Sequence, residues 1–120
     1  VKDGYLVIEK TWKKDETVAV SFDMPVEVVQ ADPRVKADVG KRAVMRGPIV
    51  YCLEQVDNPQ IDDAVLGPDT EFSTCFEESL LGGVQTIEAR RGERVFKFIP
   101  YHVWDNREAG KMKVWVDYVK

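Results

Sequence analysis

The sequence predicts an all-β domain, an antiparallel sandwich of jelly-roll-like form with about eight strands. Three observations predict it. Apolar side chains recur with period two along most of the chain, helical spacing is almost absent, and turn residues punctuate the chain at the intervals of a sandwich or barrel.

Size and charge narrow the class. The 120 residues, 44% apolar and 32% charged, can bury one core without metal or disulfide staples. Net charge is −4, with acidic and basic residues interspersed, which argues against nucleic acid or an anionic membrane as partner. No apolar run approaches the roughly 20 residues of a membrane-spanning helix. The chain opens at Val1 and turns strand-like by Tyr5, so it reads as a piece of a longer polypeptide, residues 1–120 forming one accessory domain. Whether the compartment is periplasmic or cytoplasmic stays open, because such a piece need not carry its signal peptide.

The elements follow in order. Tyr5–Ile8 and Val18–Phe22 are expected strands, joined by the charged link Lys13-Lys14-Asp15-Glu16. In the first, Leu6 and Ile8 share one face and Tyr5 and Val7 the other; in the second, only Val18, Val20 and Phe22 are large and apolar. Met24-Pro25 breaks the pattern, and Val26–Val29 resumes as an edge segment. Residues 31–41 carry turn chemistry at Asp32-Pro33 and Gly40. Ala43–Arg46 and Ile49–Glu54 flank Gly47-Pro48, read here as one long strand bent between two sheets, since Gly-Pro is not a favoured hairpin pair. Residues 55–69 are polar and turn-rich, predicting a surface loop. Phe72–Glu78, Val84–Ala89, Arg94–Ile99 and Lys111–Tyr118 complete the strands.

Ordered segments also carry a family likeness. The stretch 4–12 (GYLVIEKTW), Ala31-Asp32-Pro33, the run 46–54 (RGPIVYCLE) and Asp57-Asn58 resemble the C-terminal region of glycoside hydrolase family 127 proteins, the β-L-arabinofuranosidases and their relatives. So do Leu80-Leu81-Gly82-Gly83, Ile99-Pro100-Tyr101, Trp104-Asp105-Asn106-Arg107 and 112–115 (MKVW). The resemblance implies a parent with an (α/α)6-barrel catalytic domain followed by β-sandwiches. It implies zinc on cysteine and glutamate ligands, with a cysteine nucleophile, all in the barrel and none in this chain. The expected role is a non-catalytic C-terminal domain, its partners the barrel, a neighbouring sandwich or a second subunit in a homodimer.

No self-contained catalytic or metal site is expected, and no cofactor. Cys52 lies mid-strand between Tyr51 and Leu53, without the positive neighbours or metal that a nucleophilic thiolate requires. Cys52 and Cys75 allow one disulfide or two free thiols, and two buried structural thiols are favoured. His102, the one histidine, is read on a strand beside Trp104, with no partner that would make it a base. Glu54 with Asp57, Asp62-Asp63 and Glu77-Glu78 are carboxylate pairs by proximity. Acid–base work on a glycoside needs the two groups facing each other roughly 5–10 Å apart, and adjacent strand residues such as Glu77 and Glu78 diverge. Gly82-Gly83 and Gly92 are turn residues without phosphate-loop spacing.

The aromatic residues are the remaining candidates. Trp12, Tyr101, Trp104 and Trp115 offer flat rings for sugar stacking, core packing or contact with the parent's other domains. Strand parity sets Trp115 opposite Met112, Val114, Val116 and Tyr118. Ile49, Tyr51 and Leu53 share one face of their strand while Val50 and Cys52 occupy the other, and a free-standing sandwich would leave that second face wet. The reading therefore places Val50, Cys52, Tyr101, Trp104 and Trp115 at an interface or sugar contact, covered by a neighbour outside this chain.

Overall fold

Gly47 and Pro48 close a tight hairpin. They join β2 (Lys41–Arg46) to β3 (Ile49–Glu54), with Arg46 opposite Ile49 and Met45 opposite Val50 in the computed structural model, which describes residues 1–120. The chain reverses here instead of bending through, as the sequence had suggested. Gly47 has φ +54, the positive value a primed turn needs at its first central position. The second central position of a type II′ turn takes φ near −80°, within reach of the proline ring, and asks for no N–H donor. Gly-Pro thus suits the turn that was denied to it.

The hairpin's arms stay paired only beside the turn and then part. β2 runs against β1 (Val26–Val29) from Ala43 to Arg46 and against β9 (Val116–Tyr118) at Lys41 and Arg42. β9 pairs in parallel with β4 (Val65–Leu66). β3 departs the other way, onto β7 (Arg94–Pro100), followed outward by β6 (Val84–Arg91) and β5 (Glu71–Glu77). The short β8 (Met112–Lys113) pairs with the end of β3. The result is one curled nine-stranded sheet in the order β4-β9-β2-β3-β7-β6-β5, with β1 on β2 and β8 on β3. All-β holds. The sheet is mixed, through β4–β9, and not purely antiparallel.

Curling brings the two limbs face to face over one core. Val44, Leu66 and Val116 come from the β2 side; Tyr51, Leu53, Ile87, Ala89, Phe96 and Phe98 come from the β3 side. Ile61 and Ala64 close it, so residues 55–69, expected as a surface loop and still exposed at Gln55, Pro59, Gln60, Asp62, Asp63, Pro68 and Asp69, also contribute to the interior. A single 3-10 turn, Ile61–Asp63, points Ile61 inward and leaves Asp62 and Asp63 in solvent. Asn58 anchors this stretch. Its Nδ2 donates to the Glu54 and Lys97 carbonyls at 3.0 and 2.9 Å, and its Oδ1 accepts from the Lys97 N–H at 2.8 Å. The side-chain amide therefore serves as Lys97's strand partner just where β3 ends.

Two expected strands are not in the sheet. Residues 1–25 leave the body as an arm, in which Tyr5 bridges only to nearby Lys2 while Leu6–Ile8 and Val18–Phe22 pair with no strand. The alternation that marks a strand reports which faces need cover, not whether the partner strand belongs to the same domain. The arm stretches the molecule to 57 Å along its longest axis and raises the radius of gyration to 18.2 Å, against about 14 Å for a compact chain of this length. The predicted strand 111–118 is also broken, into β8 and β9 with Val114 and Trp115 between them.

Candidate functional site

The alternation in β3 is as expected: Tyr51 and Leu53 lie in the core with Ile49 packed against it, and Val50, Cys52 and Glu54 face away. The cover over this second face is the chain's own segment from Tyr101 to Trp115. After β7, Pro100 leads into a single 3-10 turn, Tyr101–Val103, and the chain then loops back to lay β8 beside Leu53 and Glu54. Cys52 and Ile99 are left with no exposed surface. The neighbour proposed from sequence for this face is thus not needed over Cys52, which has no surface to offer either an interface or a sugar.

Where the cover is incomplete, an open apolar groove of about 430 Å³ remains, lined by Val50, Tyr101, Met112, Val114 and Trp115. Three of the five residues singled out from sequence meet here. Trp115 shares the groove with Met112 and Val114, contrary to the parity argument, because the strand is interrupted at 114–115 and neighbouring side chains are free to turn the same way. Trp104 stands outside the lining, its ring centroid 6.3 Å from that of Tyr101 and tilted by 36°. That is an ordinary tilted aromatic contact, not a flat platform for a sugar ring. Trp12 is distant in role as well as in sequence: it sits on the arm beneath the Lys10 ammonium, 5.2 Å from the ring centroid.

Beside the groove, Arg107 gathers the carboxylates of Glu54 and Asp57. Its Nη1 donates to Asp57 Oδ1 at 2.9 Å, and its Nη2 to Asp57 Oδ2 at 2.6 Å and Glu54 Oε1 at 3.0 Å. The Asp105 backbone N–H donates to the other Glu54 oxygen at 3.1 Å. Hydrogen bonds donated to Asp57 and then to Glu54 push the Arg107 guanidinium further above its already high range, against the opposing effect of burial. Both acids are held by one cation on the same loop that forms the cover. They brace the fold and do not confront each other across a cleft.

The other candidates separate. Burial pushes the Cys52 thiol up to about 12; the Glu54 and Asp57 charges add to the rise and Arg107 opposes it. Such a thiol stays protonated and unreactive near neutrality. Cys75 is also a free thiol but exposed on β5, so only one of the two is buried as expected. His102 is exposed on the 3-10 turn and not on a strand. Glu77 hydrogen-bonds to the Lys97 ammonium at 2.7 Å, and that contact lowers its pKa. Asp62 pairs with Lys111. Nowhere do three His, Cys, Asp or Glu side chains converge on a point that could hold a metal, so zinc of the kind the family likeness implies does not fit these residues.

Sequence reasoning missed Arg107 as the organiser. Its signal was present in Trp104-Asp105-Asn106-Arg107, but nothing local showed that the partners lie fifty residues upstream. A second depression of about 430 Å³, between Asp57–Gln60 and Glu93–Phe96, was also missed because it joins two segments distant in sequence.

Comparison with known proteins places this geometry in a family. The model of the glycoside hydrolase family 127 C-terminal domain matches residues 26–117. A non-reducing end β-L-arabinofuranosidase of Bifidobacterium longum subsp. longum is 36% identical over a 142-residue alignment, covering 95% of this chain and 21% of that protein. The crystal structure of a family 127 β-L-arabinofuranosidase from Geobacillus stearothermophilus T6 superposes with a TM-score of 0.72 at 39% identity, over 80% of this chain and 18% of that one. A second solved family 127 β-arabinofuranosidase gives 0.69 at 31% identity, over 82% of this chain and 18% of its own. The chain spans about a fifth of the length of these relatives. It belongs to the glycoside hydrolase family 127 C-terminal domain family.

Proposed function

We propose that this chain is the non-catalytic accessory domain of a bacterial β-L-arabinofuranosidase-like hydrolase, and that it supports the parent's catalytic barrel through domain or subunit contact. The observation that carries this reading is the chemistry around β3. The groove is lined by apolar side chains alone, the adjacent carboxylates are bound by Arg107, and the Cys52 thiol is sealed and held protonated. Such a surface suits contact with another apolar surface better than proton transfer or nucleophilic attack. Zinc and the reactive cysteine are assigned to the barrel, outside this chain.

The test compares the 120-residue chain with its full-length parent on a chromogenic β-L-arabinofuranoside. Hydrolysis by the parent and none by the chain is the expected result. Hydrolysis by the chain alone would overturn the reading.

One observation favours a second reading, as a carbohydrate-binding module: Tyr101 and Trp115 meet in a single open groove. Saturable binding of arabinose-containing oligosaccharides to the chain, abolished by Trp115→Ala or Trp104→Ala, would establish it. The tilt of Tyr101 against Trp104 and the lack of polar side chains in the lining weigh against it.

A further inference from the structure

The arm is the part of the molecule that the fold leaves unexplained. Tyr5, Leu6, Val7 and Ile8 are 74, 68, 54 and 43% exposed, and Val18, Val20 and Phe22 are 50, 63 and 78% exposed. Residues 6–12 and 17–23 make no backbone hydrogen bond with any part of the chain. Yet the turn between them is already formed. The Glu16 N–H donates to the Lys13 carbonyl, the Glu16 carboxylate accepts from the Lys13 N–H at 2.9 Å, and it pairs with the Lys10 ammonium at 3.1 Å. The arm's root is fixed too, since the Gly47 N–H donates to the Pro25 carbonyl at 3.2 Å and Met24 packs over Gly47. Two extended limbs are therefore held at a defined exit with every strand hydrogen bond unmade.

We propose that residues 6–12 and 17–23 are two donated β-strands, which complete a sheet in the part of the parent protein that lies outside this chain. This inference rests on the accessory-domain reading. The partner is a sheet edge with free N–H and C=O groups and an apolar face behind it. The limbs differ in what they ask of it. The first is apolar on both faces at Tyr5–Ile8, as in a strand covered on both sides. The second is apolar on one face only, Val18, Val20 and Phe22 alternating with Ala19, Ser21 and Asp23, as in a half-exposed outer strand. The occupant is the parent and not a second copy, because the matched C-terminal domain begins at residue 26, just after the arm, while the relatives extend about five times further than this chain.

Hydrogen exchange read by mass spectrometry tests this on the full-length parent, with the 120-residue chain as reference. Amides of residues 6–8 and 18–22 are expected to exchange at least about a hundredfold more slowly in the parent. Leu6→Asp with Ile8→Asp in the parent should abolish that protection in both limbs while Tyr51–Leu53 stay protected. Should that variant not fold, the unmodified parent decides. Fast exchange of the arm in a parent whose Tyr51–Leu53 amides are protected would overturn the proposal and leave the accessory-domain reading intact. Protection that disappears on dilution to monomer would assign the arm to a second copy and overturn it as well. A parent that protects the arm but leaves arabinofuranosides uncut would remove the functional reading and still support strand donation.

Discussion

Arg107 and Asp57, fifty residues apart, meet in a two-point contact, Nη1 to Oδ1 at 2.9 Å and Nη2 to Oδ2 at 2.6 Å. Parallel N–H···O bonds between a planar guanidinium and a carboxylate fix orientation as well as distance. With Glu54 as third member, the contact ties the loop that covers the outer face of β3 to the end of that strand. The Glu54 and Asp57 side chains are only 5 and 11% exposed, so solvent can do little to replace the cation.

Removing that cation should therefore be costly. Arg107→Met leaves two poorly solvated carboxylates beside one another, and a loss of about 3–5 kcal/mol is expected from breaking one side of a buried ion pair. Arg107→Lys keeps the charge but loses the two-point geometry, and should fall between wild type and Met. Urea unfolding of the three proteins checks the order. Equal stability of the Met variant and wild type would show that the ion cluster does not hold the cover in place.

Asn58 gives a second, independent test. Its amide makes three hydrogen bonds in a buried position, satisfying both backbone groups of Lys97 and the carbonyl of Glu54. Asn58→Ala strands the Lys97 N–H and C=O, for which about 2–4 kcal/mol is expected, while the Glu54 carbonyl still accepts from the Asp57 and Asn58 backbone N–H groups. Asn58→Asp keeps the shape but cannot donate from the second oxygen, so it should recover little. Exchange of the Lys97 amide should quicken in both variants, while that of Phe98, within the β3–β7 register, changes less.

How much of this was legible in the sequence depended on distance along the chain. The strands β1, β5, β6 and β7 were read within a residue or two, because period-two burial is written locally in residues such as Phe96 and Phe98. The fate of Val18–Phe22 was not, since its alternation is as good as theirs and only the absence of a partner separates them. The hairpin at Gly47-Pro48 was misread as a bend in one long strand, by denying the pair a primed turn; its fit depends on which central position each residue fills. Ile61 and Leu66 were hidden by the polar residues around them. At the candidate site, composition supplied Val50, Tyr101 and Trp115, but their meeting depends on a break at 114–115 that strand parity could not anticipate.

The thiols offer a chemical reading of burial. In native protein near neutral pH, a thiol reagent should modify Cys75, which is exposed, and leave Cys52 untouched until the chain unfolds. Cys52 also has a sign for pH. Its folded-state pKa, about 12, lies above that of the unfolded chain, so the unfolded state loses this proton first as pH rises. Stability from this group is full below the ordinary cysteine range and declines above it, toward about 12. Cys52→Ala should flatten that alkaline decline in thermal unfolding, whatever its own cavity cost at neutral pH. An unchanged alkaline slope would exclude Cys52 as its source.

Gly47 tests the turn on which the two limbs of the sheet depend. A Cβ there would lie 2.4 Å from the Met24 sulfur, and the backbone stands at φ +54, where side chains are strained even with room. Gly47→Ala should destabilise the chain by about 1–3 kcal/mol. Because Met24 ends a flexible side chain, pairing the substitution with Met24→Ala separates the two causes. If steric overlap dominates, the double variant recovers most of the loss; if backbone conformation dominates, it recovers little, and adds the lost packing of Met24. Gly47→Asn, which tolerates positive φ better than Ala but fills the same space, should then follow whichever cause the double variant identifies. Thermal unfolding of the four proteins checks this. A Gly47→Ala chain as stable as wild type would rule out the positive-φ hairpin as the junction between the two halves of the sheet.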